Sequence, residues 1–578
     1  MTPAPPPTAP PGRVPGSRRR SLPRTPTGST TAAAPAAPVT ASAASSATSV
    51  ATSVATSVAA SPAGSMATSR ATSAATSMAT YLAAGTACLA LLLTGCGPDD
   101  NGSPGERDGA SSATGSVITP TATAPVPRGK GSRLPDDVNG DGYPDLRIPV
   151  PSRKGGLPSR IAFVHGSSHG LNPATRTVLR HRDLGLPSED VTVAGATEVA
   201  TADLDGDGYA DVTTTAGAAL DESETERTQA TVRTVPYISW GGPGGPGRTR
   251  SAARVQLTGP DDGVDAQRPT VGDFNGDGHH DLALIREDRR SLLVLYGPFN
   301  RAGKAARTVP YTSPLDGHGE IGDLIADTIA DTAGDDDHGG DKGADGADGP
   351  RATDLVVHTV NDNDQSGSVL LPAGPHGLSH EGHPLREGNS IAFGDFDGDG
   401  RRDVAVGDSG TRNDEPGGET ERADIGKTVS VYLKGAARTA GSAPRPLKVP
   451  GMSGTLAAAD TNGDGTDELA VSLGRGGVEL LTLRRGSHAT APRVADRRLL
   501  TRAAPASVDG KAVRKGERAA RLYGVADFDH DGKDEVVLAW GRGLAFSRYG
   551  ERPEWWWITD GKADKTAFSS KPFAADKE

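Results

Sequence analysis

Cysteine is almost absent from this sequence, which holds two in 578 residues, Cys88 and Cys96. Both lie in or just after an apolar run near the N-terminus, so the chain that follows has no thiol with which to form a disulfide. Aromatic residues are only 4% of the total, so a single large aromatic core is not expected. Something other than disulfides must hold the folded part together.

Recognisable catalytic motifs are also missing, since the sequence contains no H-E-x-x-H, no P-loop and no cysteine beyond Cys96. The segment "VGDSG" resembles a serine-protease motif with Ser409 as nucleophile, but the "GP" and the His motif of that family are lacking. His165 and His169 flank a turn in "HGSSHG", and we do not expect them to form a transition-metal site. The sequence therefore predicts a protein that is not an enzyme.

Net positive charge is lacking as well, because the formal net charge is −12, which argues against nucleic acid as a partner. Residues 1–95 contain six arginines and no acid, so every acidic residue lies further along the chain. Six short loops alone supply 21 carboxylates at alternating positions. The acidity of the protein therefore belongs mostly to those loops.

The N-terminal part is predicted to be a targeting region. Residues 1–79 are almost all Ala, Thr, Ser and Pro, cannot bury a core and are predicted to be disordered. Most of them lie upstream of the true start if the protein begins at Met66 or Met78. The apolar run within residues 80–95 has 14 residues, too few to cross a bilayer as a helix and typical of the apolar region of a secretory signal.

The end of that run, Leu93-Thr94-Gly95-Cys96, resembles a bacterial lipobox. The resemblance implies cleavage before Cys96, a lipid on its thiol, and a lipoprotein anchored to the outer face of the bacterial cell membrane. Residues 96–133 begin with a polar, Gly/Ser-rich stretch and are predicted to be a flexible tether. The alternatives are an uncleaved anchor or a chance apolar patch.

Six nine-residue acidic loops recur along the chain, with oxygen-bearing side chains at positions 1, 3, 5 and 9 and Gly at position 6. Ca²⁺ prefers six to eight hard oxygen ligands, and a short loop can supply several only by curling, which Gly permits. Position 7 varies freely, as expected of a ligand that binds through its main-chain carbonyl. In chain order the predicted ligands are Asp137, Asn139, Asp141, Tyr143 and Asp145; Asp203, Asp205, Asp207, Tyr209 and Asp211; Asp273, Asn275, Asp277, His279 and Asp281; Asp395, Asp397, Asp399, Arg401 and Asp403; Asp460, Asn462, Asp464, Thr466 and Glu468; and Asp527, Asp529, Asp531, Lys533 and Glu535.

Two other interpretations of the loops are disfavoured. Solvated Asx turns explain one copy but not six with the same spacing. An EF-hand needs a Glu at position 12 and flanking helices, whereas these loops continue into apolar runs such as "DLALI" and "DEVVLA". Such runs predict short, buried strands.

The loops start at residues 137, 203, 273, 395, 460 and 527, and the single long gap between them predicts a degenerate seventh copy. Gly322-Asp323 resembles its start and Asp354-Leu355 its end, with an acidic insertion at 330–350 between them. We assign no calcium to this copy, although Asp323, Asp335, Asp336 and Asp337 lie in it. Each of the seven units also contains further apolar runs that end in Gly turns, typical of propeller blades of about four strands.

The motif D-x-[DN]-x-D-G-x-x-[DE]-[LV], followed by a strand ending in "YG" or "HGSSHGL", resembles FG-GAP/VCBS repeats, the blades of the integrin α propeller. The resemblance covers about residues 134–560 and implies an all-β, seven-bladed β-propeller with calcium in the loop that joins the first strands of a blade. About six Ca²⁺ ions would then take the place of disulfides. Residues 561–578 are predicted to be a C-terminal tail.

Trp555, Trp556 and Trp557 stand in "RPEWWWITDG", for which we favour a structural closing strand over a binding surface. Two functional classes stay open. The first is a calcium-stabilised, membrane-anchored propeller that binds an extracellular protein or glycan. The second is an extracellular propeller enzyme, such as a polysaccharide lyase or hydrolase, with its site on loops between blades. The lack of a catalytic set favours the first.

Overall fold

The computed structural model describes residues 117–150, 160–187, 199–220, 222–228, 232–247, 251–257, 263–264, 269–315, 319–327, 352–360, 367–408, 423–433, 444, 446–449, 453–474, 476–485, 492–542 and 553–576. All of them belong to the unit formed by residues 102–578. The predicted disordered segment, the signal, Cys96 and the insertion at 330–350 lie outside the described residues. No helix among those described is long and apolar enough to cross a membrane.

Seven antiparallel sheets follow one another along the chain, which confirms the predicted all-β, seven-bladed β-propeller. Within the described residues, blade 1 has three strands and the other six blades have four, with the strands of each sheet in sequence order. The strands are, for blade 1, β1 (Leu146–Pro149), β2 (Arg160–Val164) and β3 (Arg176–Arg180); for blade 2, β4 (Val199–Ala202), β5 (Asp211–Ala219), β6 (Val232–Ser239) and β7 (Ala253–Arg254); for blade 3, β8 (Thr270–Gly272), β9 (Asp281–Ile285), β10 (Ser291–Tyr296) and β11 (Arg307–Thr312); for blade 4, β12 (Glu320–Ala326), β13 (Leu355–Val360), β14 (Ser368–Leu371) and β15 (His383–Pro384); for blade 5, β16 (Ser390–Gly394), β17 (Asp403–Gly407), β18 (Thr428–Tyr432) and β19 (Leu447–Lys448); for blade 6, β20 (Ser453–Ala459), β21 (Glu468–Leu473), β22 (Val478–Arg485) and β23 (Pro492–Leu500); and for blade 7, β26 (Arg521–Ala526), β27 (Glu535–Gly541), β28 (Pro553–Thr559) and β29 (Asp564–Ser569).

Helical structure is sparse among the described residues. Two short helices lie between the second and third strands of their blades, α1 (Glu222–Thr228) in blade 2 and α2 (Ala423–Gly426) in blade 5. The remaining elements are 3₁₀ turns at His181–Leu184, Lys515–Glu517 and Lys571–Ala575, and a hairpin of β24 (Ser507–Val508) and β25 (Lys511–Ala512).

The buried apolar residues of the described segments form seven clusters, each between two neighbouring blades. Strand β9 shows why the second strands are apolar throughout: Leu282 and Leu284 face blade 2, whereas Ala283 and Ile285 face blade 4. Because successive side chains of a strand point to opposite faces, a blade buried on both sides needs an unbroken apolar run. The seventh cluster joins blade 7 to blade 1 and closes the ring.

Both ends of the described chain take part in this closure, so two predicted boundaries are wrong. The sheet of blade 7 extends past residue 560, because its fourth strand, β29, lies in the segment predicted to be a tail. Ile118, inside the predicted tether, pairs in parallel with Phe568, and its N–H donates to the Ala567 carbonyl at 2.9 Å. The buried Arg176 of blade 1 ion-pairs with Asp576.

Blade 4 corrects the predicted start of the degenerate loop. Asp323 does not begin a loop but lies inside β12, opposite His358, and the strand ends three residues later at Ala326. The predicted end is right, since β13 begins at Leu355 and the Asp354 carboxylate accepts the Ala373 N–H at 2.7 Å. The residue that directly follows the first strand of blade 4, as position 1 does in blades 2, 3, 5, 6 and 7, is Asp327.

The three tryptophans lie on β28, an interior strand of blade 7. Trp556 is buried in the cluster facing blade 1, and Trp557 is buried in the cluster facing blade 6, with Trp555 packed against the same cluster. Alternation on a strand places the middle ring opposite its neighbours, as expected. Their role is structural, although β28 is not the closing edge.

Candidate metal centres

Each acidic loop is numbered by its blade. Loops 2, 3, 5, 6 and 7 join the first strand of their blade to the second. Loop 1 lies directly before β1, the first described strand of blade 1. Position 1 follows the first strand directly, and position 9 begins the second. In blade 2, for example, Ala202 pairs with Asp211, which is position 9. Strand pairing therefore brings the two ends of every such loop together.

The aspartate at position 1 organises the curl of each loop. In loop 6, Asp460 Oδ1 accepts the N–H groups of Gly463 and Asp464 at 2.7 and 3.2 Å, and Oδ2 accepts that of Gly465 at 2.8 Å. Gly463 and Gly465 have φ of 77° and 78°, a backbone conformation that favours glycine. These bonds turn successive main-chain groups toward the carboxylate, so the loop wraps around position 1.

The carboxylate at position 9 lies at the buried base of the loop. One of its oxygens accepts the N–H of position 2 in every loop, as Asp211 does from Leu204 at 3.0 Å. Burial raises the pKa of Asp211, Asp281 and Glu535 to about 8. Burial likewise raises the pKa of Asp145 to about 6, although its contact with His165 opposes the shift. A cation bound nearby would lower the pKa of these carboxyl groups and keep them ionised.

The side-chain oxygens at position 3 show whether a metal ion fits the loops. In four of the six loops its side-chain Oδ1 is buried and has no hydrogen-bond partner, and Glu535 Oε1 at position 9 of loop 7 is in the same state. Those position-3 residues are Asn139, Asp205, Asp397 and Asp529. Buried oxygens are nearly always paired, so an inward oxygen left over beside other carboxylates fits the donor set of a hard cation.

Three loops bring their acids close enough for one ion. Ligand atoms lie within 4.8 Å of one another in each of the groups Asp203, Asp205 and Asp211; Asp395, Asp397 and Asp399; and Asp527, Asp529 and Glu535. Each cluster contains three of the four predicted side-chain positions, namely 1, 3 and 9 in loops 2 and 7 and 1, 3 and 5 in loop 5, and these clusters could hold metal ions. The main-chain carbonyls of position 7 stay a prediction, because the N–H of that position is what bonds here, to position 5.

Two histidines and one serine considered in the sequence fall elsewhere. His165 is buried, with Nδ1 2.9 Å from Asp145 Oδ2 and Nε2 2.9 Å from Thr177 Oγ1, whereas His169 lies exposed on the following turn. Ser409 lies outside the described residues.

Sequence reasoning missed the role of position 8, which links neighbouring blades. Arg402 of loop 5 is partly exposed and ion-pairs with Asp327 at the end of β12 and with Asp467 at position 8 of loop 6, at 3.0 and 3.2 Å. The signal was present in "TDELAV" and "KDEVVLA", where an extra acid precedes position 9. It also missed the basic side chains Arg301, Arg485 and Lys565, which no motif marks.

Comparison with known proteins agrees with this geometry. The family model described as "FG-GAP repeat" matches residues 195–232 and 388–417, which contain loops 2 and 5. These two segments are therefore similar to FG-GAP repeats. A solved structure titled "Crystal structure of BBS1N in complex with ARL6DN, soaked with mercury" is similar at 11% identity and a TM-score of 0.31, over 73% of this chain and 96% of that one. No curated protein matches the sequence.

Proposed function

We propose that this FG-GAP propeller binds about six Ca²⁺ ions in its acidic loops and serves as a non-catalytic ligand-binding or adhesion module outside the cell. The observation that carries the calcium assignment is the buried, unpaired Oδ1 of position 3, found in loops of blades 1, 2, 5 and 7. Positions 1, 5 and 9 add carboxylates around it, and oxygen-only donor sets favour Ca²⁺ over the softer transition metals.

Bound ions would replace disulfides as the staples between strands. Each loop ties the first strand of a blade to the second, so an ion that bridges positions 1 and 9 resists separation of the two strands. Because the unfolded chain lacks these sites, calcium binding adds to the free energy of unfolding. When bound, the ion would supply charge neutralisation and cross-linking; the chain itself supplies the curl and the buried base.

Calcium binding is tested by equilibrium dialysis and by melting curves on the protein with and without a chelator. We expect about six ions per chain and a clear fall in Tm after chelation. Asp397→Ala should remove about one ion, whereas Asp496→Ala, which changes an exposed acid on β23, should remove none. A chelator that leaves Tm unchanged would contradict the proposal.

Attachment to the cell envelope is the second part of the proposal, supported by the lipobox-like Leu93-Thr94-Gly95-Cys96. We expect full-length protein to partition with membranes and to carry diacylglycerol on Cys96. Cys96→Ser should release it into the soluble fraction, and mass spectrometry of the processed N-terminus checks the modification. A Cys96→Ser protein that stays membrane-bound would favour the uncleaved anchor instead.

The working surface is proposed to lie at the blade ends opposite the metal loops. Antiparallel strands place the connection after the second strand at the other end from the loop before it, and both α1 and α2 lie in such connections. A protein and glycan array with the calcium-loaded protein tests the binding role. Saturable capture of an intact ligand supports it, while cleavage of an arrayed glycan would favour the enzyme alternative.

A further inference from the structure

Position 3 divides the six loops into two groups. Loops 1, 3 and 6 have an amide there, Asn139, Asn275 and Asn462, and loops 2, 5 and 7 have a carboxylate, Asp205, Asp397 and Asp529. The second group therefore has four acids at positions 1, 3, 5 and 9, where the first has three. More negative charge in so small a loop raises the repulsion within it.

Every loop with the extra acid also has a basic side chain bound across positions 3 and 5. Arg485, at the end of β22 in blade 6, reaches loop 5, with Nε 2.6 Å from Asp397 Oδ2 and Nη2 2.8 Å from Asp399 Oδ2. Arg301 of blade 3 binds loop 2 in the same way, through Asp205 and Asp207. Lys565 of β29 lies 3.7 Å from Asp529 in loop 7.

In two of the three loops with an amide, the Asn side chain itself makes the equivalent contact with position 5. Asn139 Nδ2 donates to Asp141 Oδ2 at 2.9 Å, and Asn275 Nδ2 donates to Asp277 Oδ2 at 2.8 Å. In loop 6 the Asn462 amide donates to Glu468 instead, at 2.7 Å. Among the described residues, no Lys or Arg ion-pairs with positions 3 or 5 of these three loops.

At position 3, Asn139 of loop 1 has the same buried, unpaired oxygen as the three aspartates, whereas Asn275 Oδ1 accepts the Asp277 N–H at 3.3 Å. Oδ1 is buried and unpaired in Asp205, Asp397 and Asp529, and equally so in Asn139. In loops 2 and 5 the arginine takes only Oδ2, the other oxygen of the carboxylate. A positioned arginine thus makes an aspartate present one free oxygen, as Asn139 does in loop 1.

We propose that Arg301 and Arg485 are positioning residues that make an Asp at position 3 equivalent to an Asn, holding Oδ2 and leaving Oδ1 to the calcium ion. When all the acids are ionised, as calcium binding requires, positions 1, 3, 5 and 9 of either kind of loop carry a net charge of −3 with the basic residue counted. Lys565 has the same role in loop 7. The role of Oδ1 as a calcium ligand rests on the proposed function. The pairing of a basic side chain with Oδ2 does not.

Four variants test the equivalence by melting curves, in chelator and during a calcium titration. They are R301Q/R485Q, the same pair combined with D205N/D397N, D205N/D397N alone, and the control R497Q. Arg497 is as exposed as Arg301 and binds Glu479 at 2.9 Å, away from the metal loops. The R497Q variant therefore measures how far the loss of an ordinary exposed ion pair lowers Tm.

In chelator we expect R301Q/R485Q to lower Tm by clearly more than R497Q, because two loops then hold four uncompensated acids. Adding D205N/D397N should restore most of the loss, since the loops then match loops 1 and 3. In the titration, R301Q/R485Q should respond at a calcium concentration up to about tenfold lower, because each altered loop gains one negative charge near the ion.

The proposal is overturned if R301Q/R485Q behaves like R497Q in chelator, or if the added asparagines fail to restore Tm. It is also overturned if the titration midpoint of R301Q/R485Q equals that of the parent protein. Absence of any calcium response in the parent would defeat the proposed function, while the chelator series would still show whether arginine and asparagine are interchangeable.

Discussion

Asp460 and Asp534 bind each other reciprocally across two blades. The Asp460 N–H donates to Asp534 Oδ2 at 2.8 Å, and the Asp534 N–H donates to the Asp460 carbonyl at 2.9 Å. Asp460 is position 1 of loop 6, and Asp534 is position 8 of loop 7. Asp395 and Asp467 repeat the arrangement between loops 5 and 6. The acidic loops are therefore also links between neighbouring blades.

Asp534→Ala should destabilise the protein by about 1 kcal/mol, because it leaves the partly buried Asp460 N–H without its acceptor. Asp534→Asn keeps a side-chain oxygen and should lose much less. Denaturant unfolding at pH 7 measures both. At that pH the carboxyl is mostly ionised, since burial raises the pKa of Asp534 only to about 6. Equal losses for the two variants would show that charge, rather than the hydrogen bond, matters at this link.

Stability of the chelated protein should fall as pH rises from about 4 to 8. Burial raises the pKa of Asp211, Asp281 and Glu535 to about 8, so the folded state binds protons that the unfolded state releases near pH 4. The stabilising contribution of these protonated groups is complete below about pH 4 and is lost as the pH rises through about 8. Calcium requires the ionised forms, so the calcium-induced rise in Tm should grow over the same interval.

Melting curves at several pH values, with chelator and with saturating calcium, measure this dependence. Asp211→Asn supplies the control, because an amide cannot titrate and should flatten part of the slope in chelator. A chelated protein whose Tm rises steadily from pH 4 to 8 would contradict the expectation.

The repeat spacing was sufficient to predict seven blades, because a buried second strand and its preceding loop both leave strong local patterns. Loop 5 and β17 illustrate this, since ligand spacing and an apolar run adjoin in "DFDGDGRRDVAVG". The closure was not predictable in the same way. Ile118 and Phe568 lie 450 residues apart, and neither belongs to a repeated motif.

The contacts that neighbouring blades make with the loops could not be predicted from the sequence either. Arg485 reaches loop 5 from a different blade, and its approach depends on how far β22 extends. Position 8 was visible as an extra acid, but its partner is a main-chain group of the preceding loop, which carries no side-chain signal. Local periodicity thus predicts each blade, whereas packing between blades decides which neighbouring side chains complete a site.

Deleting residues 571–578 should weaken the ring closure by roughly 3–5 kcal/mol or more. The deletion removes Phe573, which is fully buried between blades 7 and 1, and also Asp576, the partner of Arg176. Phe573→Leu retains an apolar side chain and should cost much less. Denaturant unfolding and limited proteolysis near residue 118 measure the effect. If the deletion unfolds like the full chain, these residues do not close the ring.

His530→Gly should stabilise the protein by about 1 kcal/mol. His530 occupies position 4 of loop 7, where the other five loops have Gly, and its φ of 58° lies in the left-handed region that disfavours most side chains. The ring of His530 also contacts Tyr143, with centroids 5.9 Å apart, so the substitution loses a small interaction as it relieves strain. His530→Ala loses the same contact but keeps a Cβ, and should not stabilise. Denaturant unfolding of both variants separates the two effects, and an alanine variant as stable as the glycine variant would locate the cost in the imidazole rather than in the backbone.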